Sequence, residues 1–383
     1  MSASLLLTQS GAFSAPIRQR YLPAFTGVRA MAAYLVFLHH FNPFLGNAAL
    51  VPFSALVSEF HIGVPVFFVL SGFLITLRYS THDLTQPSQW LRYMRNRFAR
   101  IYPIYFLLTL LTYLAFWKQG TFFLRDIVLS LSLTHSFFDG SKYAGIAQAW
   151  SLTVEECFYL TAPLAFWLLR RRVVLLWWQP FVLLAVGICL VLACAPHYSR
   201  FTGFFGSFGF MLLFTFPGRC FEFYAGMQLA FWYQQGRLRR YRIRGLLTAT
   251  GLAVIVAVVC AMVVIKGGYT YGQEHPLGVA LNNVVLPGGI LLLFAGLLTE
   301  DTWVKRLLST PLLQVLGKSS YVFYLIHMGV MHDWLANNFT ANNLVLFILL
   351  NAVAVALHYG LEEPLNRWLR PRPVLPLPKF SAS

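Results

Sequence analysis

The sequence predicts an all-α integral membrane protein, a bundle of about ten transmembrane helices with both termini cytoplasmic. Three observations lead there. Of 383 residues, 58% are hydrophobic and only 11% charged, whereas soluble domains carry about 25% charged residues. Apolar stretches of spanning length recur along the whole chain. The basic residues between them collect on alternate loops, as the positive-inside rule requires.

Six stretches are free of Lys, Arg, Asp, Glu and His: 62–77, 101–117, 173–196, 245–265, 276–299 and 339–357. Each reaches or approaches the roughly 20 residues needed to span. Four more, about 22–42, 150–169, 219–235 and 316–335, are apolar but carry ionisable groups inside. Basic residues in the loops divide 22 to 5 in favour of the side that holds the N-terminus, with Arg29 and Arg219 inside spans. That asymmetry makes the richer side cytoplasmic. Phe201 to Pro217 is also apolar. Counting it as a span would put Arg237 to Arg244 outside, so it is read as an outer-face interfacial or re-entrant stretch. The expected organisation is a tail over 1–20, a membrane domain over 21–366 and a cytoplasmic tail over 367–383. Residues 1–20 lack the order of a cleaved signal, since Arg18 and Arg20 follow the short apolar patch.

Composition also excludes several classes. A net charge of +16 suits nucleic acid only if it is clustered, and here it is scattered between spans. The five cysteines lie in apolar stretches with no CxxC spacing, so neither a metal site nor a disulfide framework is expected.

Ionisable groups inside membrane helices cost a few kcal/mol on insertion scales and usually face the bundle interior with a task. Arg29 and His40 are eleven residues apart, which returns within about 20° of the same helix face and separates them by about 16 Å. A snorkelling arginine and an interfacial histidine would satisfy the same pattern. Ser71-Gly72 sits mid-span, where close helix packing is the simpler explanation. Arg92, Arg95, Arg97 and Arg100 precede the third span, as phosphate ligands or as topology determinants. Trp150 and Ser151 open the fourth span, and Ser151, Glu155 and Tyr159 recur at i+4 on one face. Glu155 falls at a depth comparable with His40. Arg219 and Glu222 at i,i+3 can neutralise each other. Tyr321, Tyr324 and His327 fall near the middle of the ninth span.

Seven segments then occur in order: Arg29-x10-His40, Phe67 to Phe73, Arg97-Phe-Ala-Arg100-Ile-Tyr-Pro103, Trp150-Ser-Leu-Thr-Val-Glu155-Glu156-x-Phe-Tyr159, Arg219-x-x-Glu222-x-x-x-Gly226, Gly317 to His327, and Glu362-Glu-Pro364. Together they resemble the acyltransferase-3 family of membrane acyltransferases, from about residue 20 to residue 370. The resemblance implies a cytoplasmic acyl-CoA donor, functional roles for Arg29 and His40, and transfer onto hydroxyls of glycans or other metabolites. Two departures stand out: Pro65 where many relatives have Asp, and Met328 where Pro often follows the histidine. A stand-alone member is expected, without an attached hydrolase-like domain.

The resulting reading is a transfer path. CoA phosphates rest on Arg92, Arg95, Arg97 and Arg100, and the thioester passes Arg29. His40, oriented or charge-balanced by Glu155, acts as general base or takes the acyl group covalently. Ser71, Trp150, Ser151, Tyr159, Arg219, Glu222, Tyr324 and His327 line the substrate pocket. Acyl-CoA, first of all acetyl-CoA, is the donor substrate; no permanently bound cofactor and no metal are expected. The partners are the lipid bilayer and a hydroxyl acceptor, a cell-surface glycan or its lipid-linked precursor, with a secreted secondary metabolite next. The expected location is the cell membrane. A secondary transporter or polysaccharide exporter is the rival class, but paired broken helices in two similar halves are not evident.

Overall fold

The computed structural model describes residues 21–171, 174–240 and 245–370. The longer helices in chain order are α1 (Pro23–His40), α2 (Gly63–Tyr79), α3 (Pro87–Gln119), α4 (Trp150–Arg171), α5 (Val174–Cys194) and α6 (Phe216–Gln234). They continue with α7 (Leu246–Ile265), α8 (Leu286–Thr299), α9 (Pro311–Ile326) and α10 (Asn343–Leu357). No strand is formed among the described residues; an isolated bridge joins Phe138 and Phe204. The fold is thus all-α and membrane-integral, as expected.

Among the described residues, seven helical stretches are long and apolar enough to cross a bilayer: Ala48–Tyr79, Pro87–Gln119, Ala147–Arg171, Trp177–His197, Leu246–Ile265, Pro276–Thr299 and Asn343–Leu369. The other three expected spans are α1, α6 and α9, which carry intramembrane polar residues, as α4 also does, and are not among the seven. Their place in the bundle explains their composition. Thirteen residues of α6 are buried, against five of the similarly long α7. α6 lies inside together with the apolar α2, whereas apolar helices such as α5, α7 and α10 lie toward the outside.

The inner helices meet backbone to backbone. A Cβ on Gly72 would stand 2.1 Å from the Phe223 carbonyl oxygen, and one on Gly226 would stand 2.0 Å from that of Val69. Only glycine permits α2 and α6 to approach so closely. Gly72 therefore packs, while Ser71 beside it is free to serve the interior.

One local expectation needs correction. The ninth span does not run through to residue 335. α9 ends at Ile326, the chain turns through Gly329 at φ +81°, and a separate helix follows at Val330–Asn338. The left-handed glycine makes this break without a proline. Residues 201–217 contain no crossing: a turn leads to a seven-residue helix, Phe208–Phe214, capped by the Ser207 hydroxyl. At about 10 Å that helix is too short to span. The tail over 1–20 lies outside the described residues, as does 371–383; within 367–370 the chain still completes a helix, Glu363–Leu369.

Candidate active site

Helix directions place Tyr79, Arg97, Arg171, Gln234, Thr299 and Leu369 at one end of the bundle, the end that bears most basic residues. A cavity of about 120 Å³ opens between α1, α2, α3, α4 and α9, lined from Arg97 and Arg100 to Val64 and Ser151 in the first turns of α2 and α4. Three guanidinium groups line it, Arg29 from α1 and Arg97 and Arg100 from α3. Glu155, Ser71, Ser151, Tyr159, Tyr321 and Tyr324 supply the remaining polar lining.

Each side chain is held from a different helix. Arg29 Nε donates to Ser320 Oγ at 3.5 Å. Arg97 stacks over the rings of Tyr79 and Tyr159 at 5.5 and 5.7 Å, and its Nε is buried with no hydrogen-bond partner among the described residues. Glu155 accepts from Ser71 Oγ at 2.6 Å and from the Tyr159 hydroxyl. The i+4 repeat of α4 thus brings carboxylate and phenol together, and Ser151 bonds Tyr324 across to α9 at 2.8 Å. Tyr321 donates to the Ile101 carbonyl at 2.8 Å.

Helix phase separates the four arginines before the third span. Arg97 and Arg100 line the cavity, while Arg92 and Arg95 are exposed. The mean directions of the two pairs differ by about 140° around the helix, a signal the sequence already contained. Arg95 donates instead to the Leu369 carbonyl at 2.8 Å.

At the opposite end, His40 and His39 diverge as adjacent helical residues must. His39 Nδ1 donates to the Ser58 carbonyl at 2.6 Å, and its ring lies 5.5 Å from His61 and 4.8 Å from Tyr271. His40 turns toward α9, with its ring 5.5 Å from that of His327. Arg29 and His40 therefore face the same neighbour, at Ser320 and at His327. The carbonyl of Tyr324 only accepts, so His327 Nδ1, 2.7 Å away, carries the proton. Its buried Nε2 is left as a free acceptor, with no partner among the described residues. Gln148, absent from the sequence expectations, clamps this turn by donating to the carbonyls of Tyr324 and Leu325 at 3.0 and 2.8 Å.

Other expected pocket residues lie elsewhere. The carboxylate of Glu155 is given to Ser71 and Tyr159 in the cavity, not to His40, because α4 enters beside α2 rather than beside the end of α1. Trp150 packs on Phe214 and Phe68, ring centres 5.0 and 6.4 Å away, outside the cavity lining. Arg219 and Glu222 pair with each other at 2.8 Å, both buried. Arg219 also donates to Asn283 at 3.4 Å, in the π-helical turn Leu281–Val285. Neither lines the cavity. Among the described residues no group of His, Cys, Asp and Glu has the arrangement of a metal site.

Residues 22–362 match the family model for the acyltransferase-3 domain, described as an acyltransferase domain. The chain belongs to the acyltransferase-3 family. Acyltransferase MdmB of Streptomyces mycarofaciens is 28% identical over 403 residues, covering 95% of this chain and 96% of that protein. O-acetyltransferase OatA of Staphylococcus aureus is 29% identical over 167 residues, 40% of this chain but only 26% of OatA. No solved structure matches. The membership makes this acyltransferase-3 chain an O-acyltransferase and sets aside the transporter alternative.

Proposed function

We propose that this acyltransferase takes its acyl group from acyl-CoA at the basic end of the bundle and delivers it to a hydroxyl at the opposite end. The observation that carries the reading is the cavity: three guanidinium groups facing one carboxylate, Glu155, where a neutral packing defect would be lined by apolar side chains. Such a surplus of cations suits the phosphates of CoA. The 22-to-5 basic asymmetry supports a cytoplasmic basic end and insertion in the cell membrane.

In this reading Arg97 and Arg100 receive the donor and Arg29 guides the thioester past Tyr324 toward His40. The acceptor hydroxyl loses its proton to His40 as its oxygen attacks the thioester carbonyl carbon. The carbon–sulfur bond breaks, and His40 returns the proton to the departing CoA thiolate. His327, whose free Nε2 faces the same region, is suited to holding His40 in orientation. Glu155 holds the arginines and hydroxyls of the cavity in register. Acetyl is the favoured acyl group, which the O-acetyltransferase name of OatA supports. The imidazoles of His39, His40, His61 and His327, with Tyr271, suit a hydroxyl-rich acceptor, and a cell-surface glycan or its lipid-linked precursor is our choice.

The test is acetyl transfer by the purified protein in lipid nanodiscs, supplied with labelled acetyl-CoA and a panel of glycans. Acceptor-dependent release of the CoA thiol, lost in Arg100→Gln, is expected. A parent protein that neither binds nor cleaves acetyl-CoA would sink the donor assignment.

A further inference from the structure

The arginines of the basic end fall into two groups. Arg170 pairs with Asp83 at 3.2 Å, Arg306 with Asp301 at 2.8 Å and Arg367 with Glu363 at 2.5 Å. Arg78, Arg97, Arg100 and Arg370 have no such partner: none lies within 4 Å of a carboxylate oxygen among the described residues. All 13 acidic side chains of the chain fall within the described segments. Glu155 shares the cavity with Arg97 and Arg100, and Glu156 lies within electrostatic reach of Arg97.

These unpaired cations converge from three elements. Arg78 at the end of α2 and Arg97 of α3 flank the Tyr79 ring at 5.7 and 5.5 Å. Arg97 also approaches the Tyr79 hydroxyl at 3.5 Å. The bond from Arg95 to the Leu369 carbonyl draws the end of the Glu363–Leu369 helix onto α3 and so brings Arg370 to the same mouth. Burial, and then the charges of Arg100, Arg78 and Arg97, push the Arg370 guanidinium below its ordinary range. Both Arg97 and Arg370 keep a buried Nε with no acceptor among the described residues. Crowded like charges and unused buried donors are unfavourable in isolation. A multivalent oxyanion removes both costs at once.

We infer that Arg78, Arg97 and Arg370 form an anion site at the basic mouth of the cavity for the phosphate-rich end of a nucleotide-linked acyl donor. Arg100 and Arg29 are then left for the part of the donor that enters the cavity. The inference rests on the donor reading above and departs from the sequence expectation, which offered Arg92 and Arg95 in place of Arg78 and Arg370. Phosphate oxygens also come from lipid headgroups, and the experiment separates the two sources.

Parent protein, Arg78→Gln, Arg370→Gln and the double variant are reconstituted in nanodiscs of phosphatidylcholine alone. Arg306→Gln, at an exposed arginine already paired with Asp301, serves as the basic control, and Arg→Lys at both sites guards against misfolding. Binding of CoA, 3′-dephospho-CoA and inorganic pyrophosphate is measured by calorimetry, then repeated with phosphatidylglycerol present. Each Gln variant should weaken CoA binding about tenfold or more. The parent should prefer CoA to 3′-dephospho-CoA, the double variant should not, and the Lys variants should recover part of the affinity. Gln variants that bind CoA as tightly as the parent, with the preference intact, overturn the anion site. A parent that binds pyrophosphate through these arginines but not CoA keeps the site and overturns the donor reading. Arginine dependence seen only as phosphatidylglycerol competition assigns the site to lipid and overturns the inference.

Discussion

Replacing His39 and His40 separately by alanine should reverse the order of damage between stability and activity. His39 holds the Ser58 carbonyl at 2.6 Å and packs on Tyr271 at 4.8 Å, so His39→Ala should cost about 0.5–1.5 kcal/mol of stability for the hydrogen bond. His40 is exposed and has ring contacts but no hydrogen bond among the described residues. His40→Ala should therefore change stability by no more than about 0.5 kcal/mol. Activity runs the other way. Loss of a general base slows the chemical step by about 10²–10⁴-fold, equivalent to roughly 2.7–5.5 kcal/mol of barrier, while His39→Ala should retain most turnover. Thermal unfolding in nanodiscs and single-turnover acetyl transfer at saturating acetyl-CoA measure the two quantities on the same samples. An active His40→Ala protein beside a stable but inactive His39→Ala would refute both the assignment and the helix-face reasoning under it.

Three further outcomes are expected. Glu155→Gln removes the charge that faces the cavity arginines and degrades its bonds to Ser71 and Tyr159. Transfer should fall by about 10- to 150-fold, from roughly 1.5–3 kcal/mol for charged hydrogen bonds, with normal insertion; an unchanged rate would return Glu155 to packing. Gly72→Val drives a side chain into the Phe223 carbonyl and should cost at least the about 1–3 kcal/mol of an overpacked core, read as lost monodispersity in detergent; a normally folded variant would disprove the close approach of α2 and α6. At the buried pair, Arg219→Met or Glu222→Leu alone should destabilise by about 3–5 kcal/mol, and the double variant far less. A double variant as unstable as the sum of the singles would argue against a self-contained pair.

The cavity separates what each level of description can reveal. Burial of polar groups in lipid is so unfavourable that any ionisable residue in an apolar span marks the interior, and so Arg29, Glu155 and Tyr324 were legible as site candidates. Helical phase, being local, even predicted that Arg29 shares the direction of His40. It also held the distinction between Arg97 with Arg100 and Arg92 with Arg95. Gln148 was missed because a neutral residue just outside an apolar run gives no signal until α9 breaks beside it.

By itself the sequence determined the helical class, the basic asymmetry between loops, the family and the residues with a reason to face inward. Those properties follow from hydropathy, charge and the fixed pitch of a helix, all of which act within a few turns of chain. Which helix stands beside which was decided only in three dimensions. Glu155 joins Ser71 and Tyr159 rather than His40, and Arg219 with Glu222 is sealed away from the cavity. Arg78 and Arg370, nearly three hundred residues apart, arrive at one mouth. Such pairings depend on packing between distant segments, where glycines such as Gly72 and Gly226 set how near two backbones come, and helix periodicity carries no record of the partner chosen.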